Sequence, residues 1–391
     1  MNLDDILRTE LLSLEQASLR RTLRATDGLP EGMLNFAAND YLGLSHHPAL
    51  IEAARQATAQ CGTGAGASRL VTGTDSAVLA LEEELAAWKE KEAALVFSSG
   101  YAAALGTIPA VVGKDDTVVL DKLAHASLID AARLSGAMVR TFPHNQVTKL
   151  EALLQKLSAA PDRGRILIVT ESIFSMDGDA APLPELVGLK DRYGAWLMVD
   201  EAHATGLYGA TGAGLLAELG LSSRVEIVMG TLSKALGSVG GYIAGSCALI
   251  DWLTNRARSF IYSTALPPGV IAASRAAVKV ARGPEGAALR TRLRENISHF
   301  HADLPIIWKS KTLSSSAIQP LICGEATAAL QLAATLREKG FLIPAIRYPT
   351  VPRNAARLRV TLSAAHLAKN IDALIEALRL DTLTPNPNHS T

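Results

Sequence analysis

The chain has 391 residues, 48% of them hydrophobic and 19% charged, and its 38 basic and 38 acidic side chains give a formal net charge of zero. This balance is typical of a globular protein with one large and one smaller domain, and it argues against binding to nucleic acid or to a membrane surface. Three distant cysteines, the lack of a secretory signal and the lack of an apolar run of about 20 residues favour a reducing cytoplasm. We therefore expect small molecules and a second copy of the chain as partners.

The first predicted element is a helix near the N-terminus. Leucines recur at helical spacing from Leu3 to Leu14, which predicts a helix as far as about Arg24. One face of this helix should pack on the body of the protein, and Arg20 and Arg21 should lie at its end.

The next elements are short. Residues 35–44 (NFAANDYLGL) predict a strand and a turn, and the following HHPALIEAARQAT predicts a helix with Pro48 near its first turn. The glycine-rich segment 62–74 comes after that helix rather than after a strand. It therefore predicts a loop and not a dinucleotide-binding fingerprint.

From about residue 90 the pattern becomes regular. Short apolar runs alternate with segments long enough for helices, which is typical of a mostly parallel sheet wound with helices on both faces. The runs are AALVF, TVVL, ILIVT, WLMVD and EIVM. A long helix is predicted over about 270–282 and another through LRTRLRENISHF, and the segments IQPLICG, AALQLAATLREKG and RLRVTLSA predict a smaller mixed domain.

The predicted fold class is therefore α/β, with a smaller α+β domain toward the C-terminus. We place an N-terminal helix and small-domain segment in 1–45, the large domain in 46–282 and the small domain in 283–380. The last residues, 381–391, contain prolines and polar side chains without an apolar face, so we expect them to be disordered.

Polar residues follow each of the five apolar runs. In wound parallel sheets ligands bind outside the carboxyl ends of the strands, so these positions are the candidate site. In chain order they are Ser98, Ser99, Gly100 and Tyr101, then Asp121 and His125, then Glu171 and Ser175, then Asp200 with His203, and last Thr231, Ser233 and Lys234.

These residue types suit a phosphorylated aromatic cofactor. The segment 99–101 opens a helix, where backbone amides favour an anion, and Thr231 and Ser233 could add hydroxyl donors. A buried Asp200 would be stable beside a protonated pyridine nitrogen. Lys234 could hold the cofactor as an imine and then act as a base. Two histidines complete the set, His125 over the ring face and His203 at its edge.

Each of these residues has an ordinary interpretation when it is taken alone. Lys234 could be a solvated surface lysine, each histidine could be structural, and Asp200 could cap a helix. The sequence 200–203 also matches the DEAH box of nucleotide-hydrolysing helicases. That function needs a phosphate-binding loop upstream, and the chain's one Gly-Lys pair, at 113–114, is followed by aspartate. No two of the nine histidines have the spacing of a zinc site on one helix.

Seven segments together resemble the α-oxoamine synthases, within the fold type I pyridoxal-phosphate enzymes. They are NFAANDYLGLSHHP, SSGYAA, DKLAHASLIDAARLSGA, ESIFSMDGDAAPL, MVDEAHATGLYG, TLSKALGSVGGYI and IYSTALPP, and the resemblance runs from about residue 20 to about residue 378. It implies a pyridoxal 5'-phosphate (PLP) enzyme that condenses an amino acid with an acyl thioester. Rival functions are a transaminase or lyase on the same fold and a non-catalytic subunit.

The resemblance also implies roles for single residues. Lys234 would be the Schiff-base lysine, Asp200 the partner of the pyridine nitrogen, His203 a donor to the ring hydroxyl, and His125 the residue stacked over the ring. The remaining cofactor contacts would come from Gly100, Tyr101, Ser175 and Thr231, and from Thr264, which would reach the phosphate of the neighbouring subunit of a homodimer.

The two C-terminal segments SAIQPLICG and AIRYPTVPRNAARLRVTLSAAH resemble the branch of the family that joins L-alanine to a pimeloyl thioester. This implies that Arg359 clamps the amino-acid carboxylate through its bidentate fork. Thr350 would line the acyl path, and Arg20 would meet the far carboxylate of the pimeloyl chain. Helical register leaves open whether Arg20 or Arg21 does so. Whether the acyl group arrives on coenzyme A or on an acyl carrier protein is also open, and a glycine-acetyl enzyme is the nearest alternative.

Overall fold

The computed structural model describes residues 2–23, 25, 32–160, 164–309 and 314–383. The helices in these ranges are α1 Leu3–Gln16, α2 Pro48–Cys61, α3 Ser76–Trp88, α4 Gly100–Val111, α5 Ala126–Leu134, α6 Val147–Ser158, α7 Leu183–Tyr193, α8 Leu215–Glu218, α9 Cys247–Arg256, α10 Arg258–Ile261, α11 Pro268–Arg282, α12 Pro284–Asp303, α13 Ile306–Lys309, α14 Ala326–Glu338 and α15 Ala368–Leu383. Short 3-10 helices cover Leu44–His46 and Ser222–Arg224.

The strands in the same ranges are β1 Leu34–Asn35, β2 Ala93–Phe97, β3 Thr117–Asp121, β4 Met138–Phe142, β5 Ile166–Glu171, β6 Trp196–Asp200, β7 Ile227–Thr231, β8 Gly241–Gly245, β9 Ile318–Gly324, β10 Phe341–Leu342, β11 Ala345–Ile346 and β12 Ala356–Thr361. None of the described helices is both long enough and apolar enough to cross a membrane.

The chain divides into two compact units. Unit 1 comprises Met1–Ala38, Met176–Gly178 and Leu293–Thr391, and unit 2 comprises Asn39–Ser175 and Asp179–Arg292. The unit boundaries therefore fall after residues 38 and 292, whereas the sequence placed them at 45 and 282. The second boundary lies inside α12, a continuous helix with no break in its sequence pattern that could have marked it.

Unit 2 contains a seven-stranded sheet in the order β2-β8-β7-β6-β5-β3-β4. The strands from β7 to β4 are parallel, and β8 runs antiparallel to both of its neighbours. Strands β3 and β5 are buried along their whole length, so they read in the sequence as continuous apolar runs. One core cluster packs β2, β3 and β5 to β8 against α4, α5, α9 and α10. The predicted wound, mostly parallel sheet is confirmed.

Two strands of this sheet were not predicted. Strand β4 lies at the edge of the sheet, and three of its five residues are exposed, so it shows no apolar run. Strand β8 begins and ends with glycine. Its Gly241 is needed because a Cβ atom there would lie 2.5 Å from the backbone nitrogen of Gly100.

Unit 1 contains two small sheets. Strands β11, β12 and β9 form an antiparallel sheet, and β1 pairs in parallel with β10. The side chains of Leu358 and Val360 on β12, and of Leu374 and Leu378 on α15, are fully buried in this unit. The predicted mixed α+β character of the C-terminal part is therefore observed in unit 1.

The prediction for the N-terminal helix was wrong in two respects. Helix α1 ends at Gln16, because Ser18 takes a left-handed conformation (φ 56°) and the amide of Leu19 turns back to the carbonyl of Leu14. None of its residues is buried, so among the described residues it has no packed face. Arg20 and Arg21 follow the helix, and Arg24 lies outside the described residues.

The structure describes the first three residues of the predicted C-terminal tail. Helix α15 continues to Leu383, so residues 381–383 are helical rather than disordered. Residues 384–391, the rest of the predicted disordered tail, lie outside the described residues.

Candidate active site

The carboxyl ends of three neighbouring strands in unit 2 bring the predicted site residues together. Glu171 ends β5 and is paired in register with Asp200, which ends β6, and Asp200 is paired in turn with Met229 of β7. Lys234 follows β7 within a turn closed by a hydrogen bond from the Gly237 amide to the Lys234 carbonyl, 2.9 Å long. Acidic and basic groups thus meet at one edge of the sheet, where the sequence predicted the site.

Lys234 belongs to a chain of hydrogen bonds. Its Nζ lies 2.8 Å from Nε2 of His203, and Nδ1 of the same ring lies 2.6 Å from the hydroxyl of Tyr41. The Tyr41 hydroxyl donates to Oδ1 of Asn39 over 3.1 Å. An ammonium group can only donate, so Nε2 of His203 accepts the hydrogen bond from Lys234. Nδ1 of His203 then carries the ring proton and donates it to the Tyr41 hydroxyl. The arrangement therefore fixes one neutral tautomer of His203.

Tyr41 was missed as a site residue by the sequence reasoning. It is fully buried, and its ring lies tilted toward His203 with ring centroids 6.0 Å apart. The only sequence signal was its place in the NDYLG segment, which was interpreted as a turn.

Asp200 is 5% exposed, and its Oδ1 accepts a hydrogen bond of 2.8 Å from the backbone amide of Ala202. Burial raises the pKa of this carboxyl, while the charge of Lys234 and the Ala202 amide act in the opposite direction. A buried carboxylate of this kind gains most from a cation placed next to it.

Glu171 is a second buried acid, one of the predicted strand-end residues, to which no chemical role was assigned. It is 2% exposed, and its carboxyl accepts hydrogen bonds from the backbone amides of His125 and Ser175, the latter over 3.2 Å. Its Oε1 is buried without a hydrogen-bond partner among the described residues. Burial, and next the charge of the neighbouring Asp200, hold the pKa of the Glu171 carboxyl well above its usual range. It also ties together two residues of the predicted site.

His125 precedes α5 and caps it. Its Nδ1 accepts from the amide of Ser127 (3.2 Å) and lies 2.8 Å from the Ser127 hydroxyl. Although the residue is exposed, the surrounding protein atoms desolvate the ring and lower its pKa, and the charge of Lys234 acts in the same direction. His125 is therefore a neutral ring with an unprotonated Nδ1.

The start of α4 forms an amide corner beside β7 and β8. Ser99 caps the helix by accepting from the amide of Ala102 (3.0 Å), and Gly100 and Tyr101 are its first two residues, whose amides have no acceptor within the helix. The hydroxyl of Thr231 donates to the carbonyl of Gly240 (2.8 Å) and lies 2.7 Å from the hydroxyl of Ser233. Helix amides and hydroxyls in this arrangement suit a phosphate.

These residues fit PLP. Burial raises the pKa of Asp200, so its ionised form would be stabilised by a neighbouring cation such as a pyridinium. The amine of Lys234 interacts with the same carboxyl group and is hydrogen-bonded to His203. The amide corner at Gly100 supplies donors for a phosphate group. A wound sheet with this set at its carboxyl edge defines the class of fold type I pyridoxal-phosphate enzymes.

The predicted substrate residues at the N-terminus and around Thr350 lie in unit 1. Arg20 pairs with Glu15 over 2.7 Å, whereas Nη2 of Arg21 donates to the hydroxyl of Thr350 over 3.2 Å. Arg347 donates to the carbonyl of Ser18, and its pKa is lowered by burial and by the charge of Arg21. All three arginines line a groove of about 800 Å³. Its apolar walls come from Leu330, Ala333, Leu342, Ile343 and Pro344.

Arg359 and Thr264 belong to different units. Arg359 is a buried residue of β12 in unit 1, and its Nη1 donates to the hydroxyl of Thr361 over 2.9 Å. Thr264 is an exposed residue of unit 2 that forms an isolated bridge with Ser68 of the glycine-rich loop. It lines a cavity of about 250 Å³ together with Arg69 and Ser263.

Comparison with known proteins identifies the family. The aminotransferase class I and II family matches residues 31–378. The chain is 46% identical to 8-amino-7-oxononanoate synthase of Geobacter sulfurreducens over 94% of this chain and 96% of that one. It is 47% identical to the enzyme of the same name from Methylorubrum populi over 96% and 94% of the two chains.

Solved structures give the same result. Serine palmitoyltransferase from S. paucimobilis with bound PLP and myriocin is 27% identical, with a TM-score of 0.89 over 97% of this chain and 98% of that one. 8-Amino-7-oxononanoate synthase from Francisella tularensis is 28% identical, with a TM-score of 0.77 over 90% and 98%. The chain therefore belongs to the aminotransferase class I and II family. The expected resemblance to α-oxoamine synthases, and with it a PLP-dependent acyltransferase, is confirmed.

Proposed function

We propose that the chain catalyses the decarboxylative condensation of L-alanine with a pimeloyl thioester, the 8-amino-7-oxononanoate synthase step of biotin biosynthesis. Two relatives of that name are 46% and 47% identical over nearly the whole chain. The observation that carries the proposal is the groove of unit 1, which has apolar walls and whose charged lining is four arginines and Glu338. A seven-carbon acyl chain with a free carboxylate needs apolar walls and a cationic partner.

The catalytic group is Lys234. PLP, when bound, supplies an electrophilic carbon for amines and an electron sink for the α-carbon of the amino acid. The Lys234 amine takes the α-proton of alanine and later returns a proton to the product. His203 accepts a hydrogen bond from the lysine in the structure and would bond to the ring hydroxyl of PLP, as the family resemblance implies.

The other residues hold and orient the cofactor. Asp200 keeps a proton on the pyridine nitrogen, since its buried carboxylate is stabilised by that cation. His125 covers the ring face as a neutral imidazole. The phosphate is bound by the amides of Gly100 and Tyr101 with Ser175 and Thr231, and by Thr264 of the neighbouring subunit.

The substrates are bound by residues of unit 1. Arg359 clamps the alanine carboxylate with its planar fork, as the family resemblance implies. Arg21, rather than Arg20, meets the far carboxylate of the pimeloyl chain, because Arg21 is hydrogen-bonded to Thr350 while Arg20 is paired with Glu15. Arg20 contributes a weaker, longer-range charge to the same groove.

Three further features belong to the proposal. The enzyme works as a homodimer, in which the exposed Thr264 of one subunit would reach the phosphate held by the other, as the family resemblance implies. It acts in the cytoplasm, where the three free cysteines stay reduced. Its acyl donor is a pimeloyl thioester of coenzyme A or of an acyl carrier protein, and the groove binds the part that the two donors share.

The test is a matrix of amino acids and thioesters read by product mass. Alanine, glycine and serine are each combined with pimeloyl, acetyl, succinyl and palmitoyl coenzyme A. The proposal predicts aminooxononanoate from alanine and pimeloyl coenzyme A as the main product. Preference for glycine with acetyl coenzyme A would reassign the substrate, and the absence of any condensation product would refute the proposal.

A pair of variants tests the arginine assignment. Arg21→Ala should raise KM for pimeloyl coenzyme A by about 10- to 100-fold, because a charge-assisted hydrogen bond is worth about 1.5–3 kcal/mol. It should have little effect with an acyl chain that lacks the far carboxylate. Arg20→Ala is the matched control and should change KM by less than about threefold. The reverse ranking of the two variants would contradict the assignment.

A further inference from the structure

Ser175 is presented by a short hairpin after β5. Ile173 and Ala180 form an antiparallel bridge, and the amide of Phe174 donates to the carbonyl of Asp179 over 3.0 Å. The amide of Ser175 itself donates to the buried Glu171. The position of this proposed cofactor residue therefore depends on what holds the base of the hairpin.

The tip of the hairpin is held separately. Residues 176–178 belong to unit 1, while both strands of the hairpin belong to unit 2. Within unit 1, Asp177 pairs with Arg357, and the hydroxyl of Ser314 donates to the carbonyl of Gly178 over 2.5 Å. The base of the hairpin, which lies in unit 2, is held by a different set of residues.

His144 anchors the base of the hairpin. It follows β4 and lies between two carboxylates, with Nδ1 3.0 Å from Oδ1 of Asp121 and Nε2 2.8 Å from Oδ2 of Asp179. The ring meets Phe174 edge to face, with centroids 4.4 Å apart and planes at 88°. Asp121 ends β3, whereas Asp179 and Phe174 belong to the hairpin, so the imidazole joins the sheet to the hairpin.

Asn145 strengthens the same connection. Its backbone amide donates to Oδ2 of Asp121 (2.9 Å), and its side-chain amide donates to Oδ2 of Asp179 (2.9 Å) and to the carbonyl of Ala180 (3.1 Å). Because both ring nitrogens of His144 face carboxylate oxygens, both must carry protons, and the ring is an imidazolium. Partial burial alone would lower the pKa of His144, but the hydrogen bonds that the ring donates to Asp121 and Asp179 raise it to about 10.

We propose that His144 is a positioning residue, whose two hydrogen bonds to Asp121 and Asp179 hold the hairpin and so set the place of Ser175 for cofactor binding. The inference rests on the proposed PLP site and adds a residue that contacts neither cofactor nor substrate. His144 acts through Asp179 and Phe174 on the backbone that carries Ser175.

The test compares His144→Gln with a matched control, His299→Gln. His299 also faces two aspartates, Asp372 at 2.7 Å and Asp303 at 3.8 Å, and its side chain is as exposed as that of His144. PLP is titrated into the apoenzyme of each variant and followed by absorbance. His144→Gln should weaken PLP binding about tenfold, because glutamine keeps at most part of the hydrogen bonding and loses the charge. His299→Gln should bind PLP like the unchanged protein.

The pH profile separates positioning by charge from a general loss of structure. The ratio of the two PLP dissociation constants, variant over unchanged protein, should be constant near neutral pH. It should fall toward one as pH rises past about 10, where the unchanged protein also loses the imidazolium. Lys234 is present in both proteins, so its effect cancels in the ratio. A ratio of one at neutral pH, or a ratio that does not change with pH, would overturn the proposal.

A second variant tests the same hydrogen bond in case His144→Gln does not fold. Asp179→Asn keeps the bond between His144 and Asp121 but weakens the bond to the hairpin, and it should also weaken PLP binding, by about threefold to tenfold. Tight PLP binding by both variants would refute the role of His144. Failure of the unchanged protein to bind PLP would instead refute the proposed function, because no substrate is present in this titration.

Discussion

A buried ion pair behind the candidate site gives the sharpest prediction about stability. Lys89 is 3% exposed and Glu201, the neighbour of Asp200, is 1% exposed, and their Nζ and Oε2 atoms lie 2.9 Å apart. Lys89 also donates to the hydroxyl of Thr205 (2.8 Å) and to the carbonyl of Ala213. Burial opposes the charge on Lys89, but Glu201 and Tyr242 outweigh it and raise the pKa.

Lys89→Met should destabilise the apoenzyme by about 3–5 kcal/mol, because it leaves the Glu201 carboxylate buried without a counter-ion. Adding Glu201→Gln removes that charge with little change in volume, and Oε1 can still accept from the amide of Leu216 (2.9 Å). The double variant should therefore recover all but about 1–2 kcal/mol of the loss. If Glu201→Gln restores the free energy of unfolding, the loss in Lys89→Met comes from the unpaired Glu201 charge rather than from a cavity.

The assay is urea unfolding followed by tryptophan fluorescence, since Trp88 lies next to Lys89 in the chain and its ring lies 5.8 Å from Nζ. Lys190→Met is the matched control. The partners of Lys190, Asp191 and Glu226, are partly exposed to solvent, so its loss should cost only about 1 kcal/mol. A cost below about 1 kcal/mol for Lys89→Met, or a double variant less stable than the single one, would refute the reasoning.

Three further outcomes are expected. Gly241→Ala should weaken PLP binding by the apoenzyme at least about tenfold, because the new Cβ would lie 2.5 Å from the Gly100 nitrogen and must displace the amide corner. Gly113→Ala is the control, since the space around Gly113 is open. Equal PLP affinities of the two variants would contradict the prediction. As pH rises above the ordinary range of a glutamate, the unchanged protein should lose stability relative to Glu171→Gln, because its folded state keeps a proton that the unfolded state releases. Parallel pH profiles of the urea midpoints would argue against a raised pKa of Glu171. Leu128→Ala, in the core of unit 2, should cost about 2–5 kcal/mol by urea unfolding, and the exposed Leu134→Ala less than about 1; equal costs would count against the observed packing.

Much of the candidate site could be predicted because it lies at strand ends. The buried strands β3 and β5 leave continuous apolar runs in the sequence, and the residues just after such runs are fixed at one edge of the sheet. Asp200 and Lys234 could therefore be placed together from their positions in the sequence. Strand β4 could not be predicted, because an exposed edge strand has no apolar run, and with it the position of His144 was lost.

Other features depend on contacts that no local pattern encodes. Tyr41 reaches His203 across 162 positions of the chain, and nothing in its own segment indicates a partner. The choice between Arg20 and Arg21 depends on where α1 ends, and that end is set by the left-handed Ser18 rather than by the leucine repeat. The same repeat predicted a packed face that α1 does not form within this chain.

Release of carbon dioxide is the measurement that distinguishes a decarboxylative condensation from the other reactions of this fold. The enzyme, loaded with PLP, is given L-alanine labelled in its carboxyl group, with and without pimeloyl coenzyme A, and labelled carbon dioxide and free thiol are counted. The account predicts equal amounts of the two, only when both substrates are present, and none from Lys234→Ala. Pyruvate formed without the thioester, or thiol release without carbon dioxide, would contradict a decarboxylative condensation.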